Sequence, residues 1–138
     1  AGIKTLVVGR GFEQYKQEIE RWGNIEVIGV VDRIEPWYTC AEFVVAPIFG
    51  GSGMKTKVAE ALMYGKIVIG TPEAFSGYET VTKRAGFICE TSEQFLTAME
   101  AVCARSNTRF DLDLRDIYEN TYSLGAAQKR LLEIMEEH

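Results

Sequence analysis

Short β-branched segments alternate with helical segments along the chain, and this alternation limits the possible folds more than any other feature. Strand-like composition occurs in five segments, namely residues 3–9, 25–31, 42–47, 66–71 and 86–90. The stretches between them carry apolar residues at helical spacing and stop signals such as Gly65. This order predicts a doubly wound, parallel α/β sheet that binds its ligands beyond the carboxyl ends of the strands.

The helical segments carry recognisable apolar stripes and caps. A helix is predicted from Met54 to Tyr64, and a short one from Pro36 to Ala41. Thr91 to Gln94 has the form of a capping box, and Asp111-Leu-Asp113 is interpreted as a helix cap rather than a metal motif. The first and last helices are each expected to bury one apolar stripe. In the first helix the stripe is Phe12, Tyr15, Ile19 and Trp22. In the last helix it is Leu124, Ala127, Leu131, Ile134 and Met135.

Length and charge exclude several classes of protein. The 138 residues predict a single domain over residues 1–138, and the net charge of −5 argues against nucleic acid or an anionic membrane as a bulk partner. No apolar stretch approaches the roughly 20 residues that span a bilayer. Three cysteines and a single histidine disfavour a disulfide scaffold and a zinc site. We therefore expect a cytoplasmic protein without a metal, in which Cys40, Cys89 and Cys103 are buried thiols.

The segment "FGGSGMKTKVAEAL", Phe49 to Leu62, is the richest glycine loop of the chain. It superficially resembles the phosphate loop of nucleotide hydrolases, which requires glycine directly before Lys-Ser/Thr. Here Met54 separates Gly53 from Lys55, and one extra residue turns a helical position by about 100°. We therefore reject that interpretation.

A dinucleotide-binding fold is the alternative that remains open. Gly9 and Gly11 follow the first strand, and Asp32 follows the second strand where a ribose-binding acid belongs. Gln14 occupies the place of the third glycine, so the match is weak. On this interpretation the chain would bind NAD or NADP.

The favoured interpretation makes the Gly50–Glu60 segment a diphosphate site. Glycines let the backbone approach a ligand, and the start of the following helix offers unpaired N–H groups. Lys57 and Glu60 lie three apart and so share one face of that helix. A lysine there can neutralise a phosphate, while a carboxylate can accept hydrogen bonds from the vicinal hydroxyls of a ribose.

These motifs together resemble one family. "VVAPIFGGSGMKTKVAEALMYGKIVIGT" is similar to the donor-binding core of the GT-B glycosyltransferases of retaining family four, the glycosyl transferases group 1. The resemblance extends to "LVVGRG", "NIEVIGVVD" and "WYTCAEFVVAP", and it covers roughly residues 6 to 90. It implies a Rossmann-like carboxy-terminal GT-B half that binds a nucleotide sugar and belongs to a hexosyltransferase-type enzyme of glycan biosynthesis.

The resemblance also implies roles for individual residues. Glu60 would hold the ribose, Lys57 the diphosphate, and the loop ending at Val31 the base, with Gly11 lining the same cleft. Further predicted contacts to the phosphates and the donor sugar come from the loop, namely Gly51, Ser52, Gly53, Met54 and Lys55. No catalytic residue, metal or cofactor is implied on this chain, since the nucleotide sugar is the substrate. A family glutamate is replaced by Ser52, which leaves the identity of the sugar open.

The family pattern contains parts that this chain lacks. Its members have an amino-terminal acceptor domain and a first carboxy-domain strand, so we expect that the chain is a fragment, inactive alone, of an enzyme that can associate peripherally with membranes. The family strand order 3-2-1-4-5-6 without its first strand predicts a five-stranded sheet of order 2-1-3-4-5, with residues 3–8 beside residues 43–46. A non-catalytic nucleotide-binding module is the remaining alternative.

Overall fold

The computed structural model describes residues 2–48, 50, 56–105 and 110–137. The chain divides into two compact units, Ala1–Trp37 and Tyr38–His138, and the boundary falls within helix α2 (Glu35–Cys40). The predicted helix from Pro36 to Ala41 is confirmed at this place. The expectation of a single domain over residues 1–138 stays a prediction.

The first unit is built on two parallel strands. Strand β1 (Thr5–Val8) pairs with β2 (Ile25–Gly29), and the register shifts by a bulge between Val7 and Val8. A 3₁₀ turn (Glu13–Tyr15) and helix α1 (Lys16–Glu20) connect them. The carboxyl ends of both strands therefore carry their following loops on the same side, as the parallel pairing requires.

Helix α1 protects the outer edge of β2. The Lys16 ammonium donates to the Val27 carbonyl at 3.0 Å, and the Val27 N–H donates to the Glu20 carboxylate at 3.0 Å. Lys16 also pairs with Glu20 at 2.6 Å, and these donors lower the pKa of Glu20. Charged side chains thus occupy backbone groups that an unpaired edge strand would otherwise expose.

The second unit has a three-stranded parallel sheet among its described residues. Strand β4 (Val68–Gly70) is central, between β3 (Val44–Ala46) and β5 (Gly86–Ile88). The helices are α3 (Thr56–Met63), α4 (Thr82–Ala85), α5 (Ser92–Cys103), α6 (Leu112–Ile117), continued by a π-helical turn (Tyr118–Tyr122), and α7 (Leu124–Glu136). Strand β4 is buried along its whole length, and α3 contributes Val58, Ala61 and Leu62 to the same core.

The α/β class with parallel strands is confirmed, and the strand pairing corrects one expectation. The ladders form two sheets, β1-β2 and β3-β4-β5, instead of the single five-stranded sheet that we expected. The observed pairs agree with neighbours in the order 2-1-3-4-5.

Two apolar stripes predicted to be buried are exposed instead. Phe12, Tyr15 and Trp22 around α1 are 48%, 49% and 74% exposed. On α7, Leu124, Leu131, Ile134 and Met135 are all more than half exposed, and Ala126 is the buried residue. Of the three thiols expected to be buried, Cys89 is buried as predicted, whereas Cys40 and Cys103 are exposed. Helical spacing selects one face of a helix, but it does not supply a partner for that face.

Candidate functional site

Helix α3 brings the two predicted ligand residues together. Lys57 and Glu60 lie three positions apart near its start, and the Lys57 Nζ donates to Glu60 Oε2 at 3.4 Å. The Lys57 side chain is 55% exposed and that of Glu60 35% exposed. This prediction of a shared helix face is confirmed. The pair carries one cation and one anion at the surface, both accessible to a ligand.

A third residue completes this arrangement. The Tyr38 hydroxyl, from α2, donates to Glu60 Oε2 at 2.8 Å, a shorter bond than the one from Lys57. Tyr38 is only 8% exposed, so its phenol needs a buried acceptor. We call Tyr38, Lys57 and Glu60 the Glu60 cluster.

Aromatic rings support the Glu60 cluster. The Tyr38 ring stacks on Tyr64, with centroids 4.9 Å apart and planes 11° from parallel. Tyr64 continues α3, since its N–H donates to the Glu60 carbonyl at 3.3 Å. Burial is the main cause that raises the pKa of Tyr78, and the charge of Glu60 contributes least to that rise. The Glu60 side chain is therefore half-buried and is bonded to the phenol of a stacked tyrosine pair.

The carboxyl ends of β3 and β4 are tied together beside α3. The Thr71 hydroxyl donates to the Ile48 carbonyl, and the Thr71 N–H donates to the Ala46 carbonyl at 3.2 Å. The Thr71 oxygen in turn accepts from the Ala74 N–H at 3.3 Å. Both loops at this edge thus have fixed starting points, as expected for a ligand-binding edge of a parallel sheet.

Five predicted contact residues lie outside the described part of the chain. These are Gly51, Ser52, Gly53, Met54 and Lys55, and the described chain resumes at Thr56. Their predicted contacts with phosphate and sugar stay predictions.

In the first unit, a cleft of about 400 Å³ lies at the carboxyl ends of β1 and β2. It brings Val31 together with Gly9 and Arg10, and Asp32 also lines it. Gly11 is not among the residues that line this cleft. Its φ is +105°, and its N–H donates a hydrogen bond to Glu13 Oε2 at 2.9 Å. Val31 therefore occupies a cleft, as the base-framing interpretation needs, whereas the N–H of Gly11 already has an acceptor within the loop.

A second cleft, of about 600 Å³, opens in the second unit beside α3. Thr56 and Ala59 line it from α3, and Tyr78, Tyr122 and Arg130 line it from other elements. Neither Lys57 nor Glu60 is part of its wall. The Glu60 cluster thus lies outside the larger of these two clefts. It is a candidate binding site because of the chemistry of its side chains and not because it lines a cleft.

Sequence reasoning did not identify Tyr38 as part of the site. It lies 22 positions before Glu60, within the stretch "WYTCAEFVVAP". One signal in the sequence could have identified Tyr38. It is a tyrosine, with a polar hydroxyl on an apolar ring, and it lies near the end of a short helix, just before strand β3. Such a residue prefers burial with its hydroxyl paired, but the pattern does not name the acceptor.

The Glu60 cluster has the chemistry to bind a molecule that carries both a hydroxylated ring and an anion. A carboxylate is an acceptor for two adjacent hydroxyl groups, and an ammonium beside it attracts phosphate. The described part of the second unit also contains helix α3 itself, whose amino end favours negative charge.

Comparison with known proteins identifies the family to which the chain belongs. No curated protein matches the chain. In the described ranges, no helix is long and apolar enough to cross a bilayer. A family model described as "Glycosyl transferases group 1" matches residues 1–105, which include both units' sheets and the whole Glu60 cluster. The chain belongs to the glycosyl transferases group 1 family, and its α/β domain is that of a glycosyltransferase.

Proposed function

We propose that this domain binds the donor of the glycosyl transfer, a nucleoside diphosphate sugar of the UDP or GDP type. The carrying observation is that Lys57 and Glu60 meet on the first turns of α3, with Tyr38 bonded to the same carboxylate. The cation and the acid lie in the order in which a nucleotide presents diphosphate and ribose. The family membership supports glycosyl transfer as the reaction that such binding would serve.

In this proposal Glu60 accepts hydrogen bonds from the ribose hydroxyls. Its carboxylate is accessible, and it lies one turn into α3 from the glycine loop. Lys57 moves from Glu60 to the diphosphate when the ligand binds. That exchange costs little, because an exposed i,i+3 ion pair contributes only about 0.2–0.5 kcal/mol.

The proposed contribution to catalysis is stabilisation of the leaving group. The bond between the sugar and the diphosphate breaks with negative charge developing on the departing diphosphate. Lys57 and the amino end of α3 offset that charge, and fixed donors of this kind are effective because they need no rearrangement during the reaction. This scheme requires no metal or cofactor.

The remaining features of the enzyme are part of the same proposal. We propose a hexosyl donor, a glycan or lipid acceptor, and an acceptor-binding domain as the partner of this one. Peripheral membrane association and a cytoplasmic location of the full-length enzyme would suit a lipid or membrane-bound acceptor. Alone, this chain is expected to bind its donor weakly and to transfer nothing.

One observation keeps a dinucleotide-binding function as the second candidate. Asp32 lines the 400 Å³ cleft of the first unit together with Gly9, the arrangement that a ribose-binding acid and a glycine turn would have. A dinucleotide fold does not require the Glu60 cluster. Preference for NAD over UDP and GDP would therefore favour this candidate, while nucleotide binding by a full-length protein without transfer would favour a non-catalytic module.

Isothermal calorimetry with UDP, GDP and NAD tests the proposal. We expect UDP or GDP to bind more tightly than NAD. The substitution Glu60→Ala should weaken that binding by about 1.5–3 kcal/mol, or roughly 10- to 150-fold, the range for hydrogen bonds to charged groups. Glu100→Ala, which removes an exposed carboxylate from α5, serves as the control and should leave the affinity unchanged. Equal affinities of the Glu60→Ala variant and the unchanged protein for UDP and GDP would remove Glu60 from the site.

A further inference from the structure

We propose that Tyr38 is a positioning residue, which fixes one oxygen of Glu60 and thereby directs the other oxygen to the ribose hydroxyls. This inference rests on the proposed function, because it explains how the Glu60 cluster would distinguish a ribose from a sugar ring without vicinal hydroxyls. The Tyr38 hydroxyl donates to the Glu60 carboxylate, so its effect on a ligand passes through Glu60.

The two oxygens of Glu60 have different surroundings. Oε2 accepts from the Tyr38 hydroxyl at 2.8 Å and from the Lys57 ammonium at 3.4 Å. Within residues 2–48, 50, 56–105 and 110–137, no hydrogen bond reaches Oε1. A carboxylate oxygen has about two lone-pair sites, so the internal donors fill Oε2. Toward the described residues, Oε1 keeps two sites, the number that two vicinal hydroxyls require.

Tyr38 is held firmly enough to orient a second side chain. Its ring is buried and stacks on Tyr64, which follows Glu60 by one helical turn. The end of α2 is fixed by Lys66, a side chain only 1% exposed, which donates to the Ala41 carbonyl at 2.8 Å. The phenol therefore approaches Glu60 from a rigid base, and a fixed geometry reduces the ordering cost when a ligand binds.

The direction of the Tyr38–Glu60 bond stays constant over the working pH range. Burial, followed by the hydrogen bond and the charge of Glu60, raises the pKa of Tyr38 well above its usual value. The Tyr38 phenol thus remains the donor of this bond. Lys57, by contrast, is exposed and can leave Oε2 for a phosphate, so Tyr38 is the donor that persists when the ligand binds.

A purely structural role makes a different prediction. A buried tyrosine needs an acceptor for its hydroxyl in any case, so the bond alone fits both roles. If Tyr38 serves only the packing of α2 against α3, loss of its hydroxyl changes stability and affects all ligands equally. If it positions Glu60, the loss falls on ligands with ribose hydroxyls.

The experiment compares ribose and dideoxyribose ligands on the Tyr38→Phe variant. This substitution keeps the ring and its stacking and removes only the hydroxyl. The probes are UDP and GDP together with their 2′,3′-dideoxy counterparts, measured by calorimetry on the full chain. We expect the affinity of the bound ribonucleotide to fall three- to tenfold, and that of its dideoxy counterpart to change less than twofold. Tyr122→Phe removes another phenol hydroxyl of this unit and should leave both affinities unchanged.

The outcomes separate this inference from the proposed function. If Glu60→Ala weakens the ribonucleotide selectively but Tyr38→Phe weakens both ligands equally or neither, Glu60 binds the ribose and the positioning role is wrong. If Glu60→Ala affects ribose and dideoxyribose ligands equally, the ribose role of Glu60 fails, and the positioning role fails with it. Absence of UDP and GDP binding to the unchanged protein overturns both.

Discussion

At the scale of single residues, Lys57 differs from Glu60 in how loosely it is held. Its side chain is 55% exposed, and its ammonium lies 3.4 Å from Glu60 Oε2. An exposed pair of this kind loses much of its attraction to solvent screening. Lys57 is thus available to an incoming anion, whereas the Tyr38 bond keeps Glu60 in place.

The substitution Lys57→Ala should weaken the binding of UDP or GDP by about fivefold, because unit charges about 4 Å apart interact by about 1 kcal/mol in water. The binding of uridine or guanosine, which carry no phosphate, should change less than twofold. Calorimetry at low and moderate salt measures both, and the variant should show the weaker salt dependence. Lys83→Ala, an exposed lysine of α4, is the control. Equal losses for nucleoside and nucleotide would contradict a phosphate contact.

The two donors to Glu60 also show what sequence reasoning can reach at this scale. The Lys57 contact was predictable, since residues three apart on a helix are neighbours whatever surrounds them. The Tyr38 contact was not, because its partner lies 22 positions away and depends on how α2 packs beside α3. Local geometry thus predicted one of the two contacts to Glu60, and tertiary packing determined the other.

At the scale of elements, the tightest constraint lies between β4 and β5. A Cβ atom at Gly86 would lie 1.7 Å from the Val68 carbonyl oxygen, which is ladder backbone and cannot move aside. Gly86 is therefore required for steric reasons, and its φ of 165° is ordinary extended backbone. In contrast, a Cβ at Gly125 in α7 would meet only the Ser123 hydroxyl at 3.8 Å, an ordinary contact.

Two glycine substitutions should consequently have opposite effects on stability. Gly86→Ala should lower the free energy of unfolding by at least about 1–3 kcal/mol, the usual cost of overpacking. Gly125→Ala should raise it by up to about 1 kcal/mol, because alanine favours helix. Urea denaturation followed by circular dichroism measures both. A stable Gly86→Ala variant would show that β4 and β5 are not paired at this register.

Helix caps were the most predictable elements, and buried faces the least. Thr91 accepts from the Gln94 N–H at 3.2 Å, and Asp111 accepts from the Asp113 N–H at 3.0 Å, both as their spacing indicates. Asp111 also binds Arg84 at 2.7 Å, which no local pattern predicts. The prediction that α1 and α7 bury their apolar stripes was wrong, because periodicity identifies an apolar face without identifying what covers it.

At the scale of the whole molecule, buried side chains are distributed very unequally between the units. In the described part of Ala1–Trp37, Val27 is the buried apolar side chain, at 4% exposed. In Tyr38–His138, residues of β4 and α3 such as Val68, Ile69, Val58 and Leu62 are fully buried. Units of fewer than about 40 residues rarely fold stably on their own core. The alternation of strands and helices predicted the class of fold, but it could not predict this imbalance, which depends on tertiary packing.

This imbalance predicts unequal protection against hydrogen exchange. Amides of β2 (Ile25–Gly29) should exchange at least about tenfold faster than those of β4 (Val68–Gly70), because local opening exposes little apolar surface in the first unit and much in the second. Exchange followed by mass spectrometry on the full chain, corrected for intrinsic rates with the denatured chain, measures both strands together. UDP or GDP at saturation should slow exchange in α3 further, since a ligand that binds the folded state stabilises it by mass action. Equal protection of β2 and β4 would instead mean that the two units open as one, and that the core of the second unit extends its stability to the first.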